Sequence, residues 1–191
     1  MSDLIRSVCV YCGSGSGSDP AFAKAAQEFG RALAEAGVRL VYGGGGTGLM
    51  GETARAALAH GGQVTGIIPA FLKEREVELK ECTELIVPPG MHARKQLMFE
   101  RADAFVTLPG GVGTLEELTE QMTWAQIGQH RKPILILDVK GFWRPLLALF
   151  AHMREAGFIR AENEVKPIVA EKVEDILPML RAAAERARLT R

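Results

Sequence analysis

Pro109-Gly110-Gly111-Val112-Gly113-Thr114-Leu115-Glu116-Glu117 follows the apolar run Ala104-Phe105-Val106-Thr107-Leu108 and leads into a helical pattern that opens near Thr114. Three glycines therefore sit where a buried strand becomes a helix. Glycine lets the backbone approach an anion with no Cβ in between, and the unpaired N–H groups and positive end of the helix dipole then face that anion. A phosphate suits such a turn, which makes Gly110, Gly111, Val112, Gly113 and Thr114 candidate binding residues. Glu117 is expected in the first turn of the helix. There it either favours the dipole, worth about 0.3–1 kcal/mol, or acts on whatever the phosphate carries.

Two further glycine-rich turns lie upstream. Gly13-Ser14-Gly15-Ser16-Gly17-Ser18 follows a first apolar run, and Gly43-Gly44-Gly45-Gly46-Thr47-Gly48-Leu49-Met50-Gly51 follows a second. Apolar runs at 7–11, 38–42, 64–68, 84–87, 104–108, 134–138 and 167–169 read as strands. They alternate with helical patterns at 20–36, 49–60, 91–101, 114–127, 142–156 and 172–186, as a parallel sheet covered on both faces requires. Asp19-Pro20 caps the first helix and Gly37 stops it. The expected fold is α/β and doubly wound, with a mostly parallel sheet of six or seven strands in one domain spanning 1–191. All three glycine turns then fall at carboxyl ends of strands, along one edge of the sheet, where open α/β folds bind ligands. Ser14, Gly45 and Gly46 are candidates for the same site.

Composition narrows the ligand. The chain has 191 residues, 47% of them hydrophobic, and its 23 basic residues equal its 23 acidic ones. No general attraction to nucleic acid polymers or anionic membranes follows, so any anion site is local. No apolar run approaches the roughly 20 residues that span a bilayer, and a cytoplasmic location is expected. Cys9 and Cys12 have the spacing of a metal or redox pair, but residues three apart on a strand point to opposite faces. The four histidines are scattered, and neither a metal nor another cofactor is expected. The middle turn contains G-x-G-x-x-G, yet the next strand ends Gly66-Ile67-Ile68-Pro69 without the acid that holds a dinucleotide ribose. No turn continues as Gly-Lys-Ser/Thr, so none is a P-loop.

Helix phase sharpens the site. At about 100° per residue, Leu115, Leu118, Met122 and Ala125 form an apolar stripe. Glu117 lies on another side with Thr114 and Gln121, and Glu116 points elsewhere. Three residues past Thr114 is a rise of about 4.5 Å, close to the span from a 5′-phosphate to the far side of its ribose. In Met91-His92-Ala93-Arg94-Lys95, two cations stand near a helix N-terminus. That position opposes the dipole unless an anion or carboxylate offsets it; otherwise they are solvated flanks of an amphipathic helix.

These motifs closely resemble the LONELY GUY family, cytokinin riboside 5′-monophosphate phosphoribohydrolases, whose members often carry the label lysine decarboxylase. The family pattern P-G-G-x-G-T-x-x-E matches 109–117 and M-H-x-R-K matches 91–95; the loop at 43–51 and Thr123-Trp124-Ala125-Gln126 also fit. The resemblance implies a Rossmann-like fold and a homodimer. It implies Arg94 and Glu117 as catalytic residues, the phosphate turn and Lys95 as holding the nucleotide, and Glu76 and Thr123 as further contacts. The implied reaction is hydrolysis of the N-glycosidic bond of a purine nucleoside 5′-monophosphate, AMP or an N6-prenylated AMP, without metal or cofactor. Decarboxylation of lysine would need an electron-sink cofactor, for which no site is recognisable. The rival reading is a nucleotide sensor that uses the same cradle without turnover.

Overall fold

The computed structural model describes residues 5–73, 77–160 and 164–189. Seven strands form one sheet in the order β4-β3-β2-β1-β5-β6-β7, and every pairing between them is parallel. They are β1 (Ser7–Tyr11), β2 (Arg39–Tyr42), β3 (Val64–Ile67), β4 (Glu84–Ile86), β5 (Ala104–Thr107), β6 (Ile134–Leu137) and β7 (Ile168–Ala170). Among the described residues the α-helices are α1 (Pro20–Glu35), α2 (Gly48–Ala59), α3 (Met91–Glu100), α4 (Val112–Gln126) and α5 (Arg144–Glu155), which lie between strands, and α6 (Ile176–Leu189), which follows β7.

Alternation along β1 separates two cores. Val8 and Val10 point to one face, where α1, α2 and α6 supply Phe29, Leu33, Ala54 and Leu180. Cys9 and Tyr11 point to the other, where α3 and α4 supply Met98 and Leu118. The fold is thus doubly wound, as the apolar runs predict. Opposite faces also separate Cys9 from Cys12, which belong to different cores.

The ends of elements carry the differences. Several strands stop one residue earlier than the apolar runs do. The last lies at Ile168–Ala170 rather than 167–169, because its ladder pairs Leu135, Ile136 and Leu137 with those residues. The final helix begins at Ile176 after a short 3₁₀ turn, Val173–Asp175. Pro178 therefore falls in its first turn, where no intrahelical N–H bond is lost.

The consequential difference is in α4, which starts at Val112 with Gly111 as N-cap, two residues before the predicted start. Gly113 is thus helical, and α4 has no acidic residue in its first turn. Glu117 stands in the second turn. The macrodipole effect fades within the first turn, so a purely dipolar role for Glu117 loses its support.

Helices α1 and α2 cross at Gly30, where an added Cβ would lie 2.2 Å from the Thr53 carbonyl oxygen and 3.0 Å from the Ala56 Cβ. Helix propensity alone makes Gly30→Ala a gain of about 1 kcal/mol. The crossing reverses the sign: a net loss of about 1–3 kcal/mol is expected from overpacking against backbone. Urea unfolding with an unchanged m-value checks this.

Candidate active site

The strand order reverses between β1 and β5, so the connections leaving these neighbours run to opposite sides and open a crevice at their carboxyl ends. The two loops touch there. The Gly13 N–H donates to the Pro109 carbonyl at 3.0 Å. A Cβ on Gly110 would lie 2.9 Å from the Gly13 nitrogen and 2.2 Å from the Thr114 hydroxyl. Behind them the Met50 N–H donates to the Gly13 carbonyl at 3.3 Å, which draws α2 to the same point.

A cavity of about 410 Å³ opens from this junction. One wall is 111–114, the N-terminal turn of α4, whose first N–H groups have no acceptor within a helix. Gly111 has no side chain to cap them. Ser14 and Gly13 form the adjoining wall. Glu117 reaches the cavity from the second turn of α4, and Arg94 faces it from α3. Met50, Leu72, Met91 and Met98 supply an apolar side. An anion, a carboxylate and an apolar body can therefore be accommodated in sequence: phosphate on the helix end, Glu117 further along, and flexible thioethers for an apolar group.

Arg94 is 5% exposed, and its fork is fixed. Nε donates to the Ile67 carbonyl at 3.0 Å and Nη2 donates to the Gly43 carbonyl at 3.0 Å. Gly43 permits this approach, since a Cβ there would fall 2.2 Å from Nη2. The third glycine turn thus serves the site by admitting a guanidinium. Beneath the cavity, burial pushes the thiol of Cys9 and the phenol of Tyr11 up from their ordinary values, and the Glu117 carboxylate adds to both shifts. Both stay neutral near pH 7, and among the described residues Arg94, Glu116 and Glu117 bring the acidic and basic side chains to the cavity lining. Among the described residues, no three His, Cys, Asp or Glu side chains gather in a metal-holding group.

Of the residues expected at the site, Ser14, Arg94, Gly111, Val112, Gly113, Thr114 and Glu117 line the cavity. Gly110 lies behind the wall and lines a neighbouring hollow of about 290 Å³. Gly45 and Gly46 are occupied elsewhere: Gly45 bridges to Glu78, and Gly46 donates its N–H to the Val77 carbonyl at 2.7 Å. Thr123 is exposed, and its hydroxyl donates to the Thr119 carbonyl. Glu76 lies outside the described residues. Lys95 is absent from the cavity lining; its ammonium donates to Glu116 at 2.7 Å and Glu120 at 2.8 Å. Glu116, expected to point away, reaches the cavity rim. In the sequence the methionines carry no mark of a site, and Gly43 is only part of a turn. Their positions against Arg94 and the α4 end come from chain segments far apart in sequence.

A doubly wound parallel sheet with a glycine-walled helix N-terminus at its switch point and a carboxylate in the same cavity defines an open α/β protein with the geometry of an anion-binding site. Comparison with known proteins makes the class specific. Residues 50–180 match the family model described as "Possible lysine decarboxylase". The cytokinin riboside 5′-monophosphate phosphoribohydrolase LOG of Oryza sativa is 47% identical over 165 residues, covering 86% of this chain and 68% of the rice protein. The cytokinin riboside 5′-monophosphate phosphoribohydrolase of Rhodococcoides fascians is 43% identical over 178 residues, covering 93% and 90%. The chain belongs to this LONELY GUY family, as its motifs indicated. Solved structures agree on the fold: a molybdenum cofactor binding protein from Rippkaea orientalis superposes with a TM-score of 0.69 at 21% identity, covering 92% of this chain and 95% of that one.

Replacing Gly43 by Ala displaces the Arg94 guanidinium and leaves two strand-end carbonyls without their donor. A stability loss of about 1–3 kcal/mol is expected. In nuclear magnetic resonance the Arg94 Nε–H signal, protected by the Ile67 carbonyl, should move and lose protection. An unmoved, still protected signal would show that the fork does not depend on Gly43.

Proposed function

We propose that this protein hydrolyses the N-glycosidic bond of purine nucleoside 5′-monophosphates, AMP or N6-prenylated AMP, giving the free base and ribose 5-phosphate. The observation that carries the reading is the placement of Glu117 one turn beyond an uncapped helix N-terminus, in one cavity with Arg94. The phosphate sits on the N–H groups of 111–114, beside Ser14 and Gly13. With phosphate at that end, the ribose falls beside Glu117, about 4.5 Å further along the axis from Thr114. As the bond from C1′ to the base nitrogen breaks, its electron pair leaves with the base and positive charge develops on the ribose. Glu117 stabilises that charge and takes a proton from the water that bonds to C1′, by analogy with glycosidase carboxylates. The proton that Glu117 takes from the water passes on to the departing base, so that one water is consumed and the carboxylate is restored, and Arg94, held by two carbonyls, orients the base or the ribose.

The relatives named above are hydrolases, and a sensor has no evident need for both Arg94 and Glu117, so the non-catalytic reading is disfavoured. Glu76 and Thr123 enter as substrate contacts on resemblance alone, as does Lys95. We further propose a homodimer in the cytoplasm, formed through the region of α4 and α5. Ile127, Leu149, Met153 and Phe158 leave apolar surface exposed there. Among the described residues, no helix is long and apolar enough to cross a membrane.

Incubation with AMP and with adenosine, followed by chromatography for free base, tests the activity. AMP should be cleaved and adenosine not, because binding energy from the remote phosphate acts at the reacting bond. Glu117→Gln should lower kcat for AMP by about 100-fold or more while AMP still binds. Glu116→Gln, which leaves Glu120 on Lys95, should lose far less. Comparable kcat/KM for AMP and adenosine, or equal small losses in the two variants, would overturn the assignment.

Light scattering at micromolar concentration should give twice the 20.7 kDa of one chain. A mass near one chain would exclude the dimer.

A further inference from the structure

The hollow of about 290 Å³ beside the active-site cavity has no part in the reaction described above. It shares Gly13, Ser14 and Gly111 with that cavity, so the two open on either side of the loop contact at the switch point. A phosphate on residues 111–114 lies between them. We infer that the hollow is a second subsite for an uncharged flat group esterified to the 5′-phosphate, which makes nucleoside 5′-phosphodiesters ligands of this protein alongside monophosphates. The inference rests on the hydrolase reading for the place of the phosphate and for turnover, and on the hollow itself for the class of the added group.

The lining selects that class. Phe22 in the first turn of α1, Leu49 in the first turn of α2, Pro109 and Phe142 supply apolar surface, and no lining residue is ionisable. A second phosphate would find no cation there, and burying it unpaired is costly. The Phe22 and Phe142 rings stand edge to face, with centroids 5.5 Å apart and planes at 76°, so an added ring extends an aromatic packing already in place. Size permits it, since a cavity of about 150 Å³ holds benzene.

Glycine keeps the passage between the two spaces open. A Cβ on Gly13 would lie 3.4 Å from the Gly110 Cα, and one on Gly110 would lie 2.9 Å from the Gly13 nitrogen, so these two make the loop contact. On Gly15 and Gly111 a Cβ would meet nothing within 4 Å. Neither has a positive φ, so their lack of a side chain serves space rather than backbone conformation. The outer wall is also tied. Lys140 Nζ donates to the Asp19 carboxylate at 2.8 Å, joining the loop before Phe22 to the loop before Phe142 across 121 positions. Lys140 holds a φ of 52°, which a residue other than glycine keeps only where its surroundings fix it.

In an open α/β sheet a two-part nucleotide lies across the switch point with its phosphate at a helix N-terminus. Here the nucleoside takes the cavity of Arg94 and Glu117, and the ester group takes the hollow. Turnover leaves both ester bonds intact: the bond from C1′ to the base nitrogen breaks, water gives its hydroxyl to C1′ and its proton to the base, and ribose 5-phosphate departs with its ester group attached.

The test compares AMP with the methyl and benzyl esters of its phosphate, on the full chain. Both esters carry a single negative charge, so their difference isolates the group in the hollow. By calorimetry the benzyl ester should bind about tenfold more tightly than the methyl ester, or better, and its kcat/KM for release of adenine should be higher by a similar factor. Gly15→Leu places a side chain in the hollow and should abolish that advantage, with kcat/KM for AMP within about threefold of the parent. Phe142→Ala, at a partly exposed ring, should cut the advantage about threefold or more and likewise spare AMP. Equal binding of the two esters, or a benzyl advantage that survives both substitutions, overturns the subsite while the hydrolase reading stands. If neither AMP nor an ester releases base, the hydrolase reading falls, and the same calorimetric comparisons decide the subsite by themselves.

Discussion

The structure depends on the contact between two loops that leave adjacent strands in opposite directions. Where β1 and β5 end, the backbone of Gly13 meets that of Pro109 and Gly110 with no room for a Cβ. Reversal of strand order dictates that these loops diverge, and glycine lets them touch before they do. That contact fixes the first turn of α4 beside the glycine and serine loop, and draws α2 in through the Met50 amide. The anion cradle is thus a property of the sheet's topology. It is assembled from backbone atoms that every strand pairing helps to hold.

Charge is handled by the same economy of parts. Arg94 is deeply buried, a situation that would be costly without acceptors. Two carbonyls at the ends of β2 and β3 supply them. Carbonyls at strand ends have passed the last ladder bond, so their acceptor capacity is available. These carbonyls hold Nε and Nη2 of the guanidinium, and Glu117 lines the same cavity. Lys95 is satisfied in the other direction, by carboxylates of the neighbouring helix. Two adjacent cations on α3 thus serve different partners, and helix phase separates them.

The apolar runs placed all seven strands to within a residue or so, because a fully buried parallel strand must be apolar on both faces. Helix ends were less legible. Residues 112 and 113 have little helix propensity by themselves, and α4 extends back to them because Gly111 can cap it in extended geometry. This two-residue difference moves Glu117 out of the first turn and changes the weight of the dipole argument. Gly45 and Gly46 looked equivalent to the other site glycines, yet they pair with the segment around 77–78. Glycine content alone does not distinguish a turn that faces a ligand from one that faces another loop.

The sequence by itself determined the class of fold and pointed to the carboxyl edge of the sheet and the glycine turn at 110–114 as the place of the site. These follow from local periodicity and from glycine at strand ends, which are short-range properties, whereas Arg94 and Glu117 were singled out as a catalytic pair by the family motifs. Only the tertiary structure decided that Gly43 makes space for Arg94, that three methionines form the apolar side of the cavity, and that Lys95 reaches Glu116 and Glu120 rather than the cavity. Each of those relations joins residues separated by about 20 to 50 positions. Such proximity is set by how strands are ordered and helices packed, and a pattern read along the chain contains no term for it.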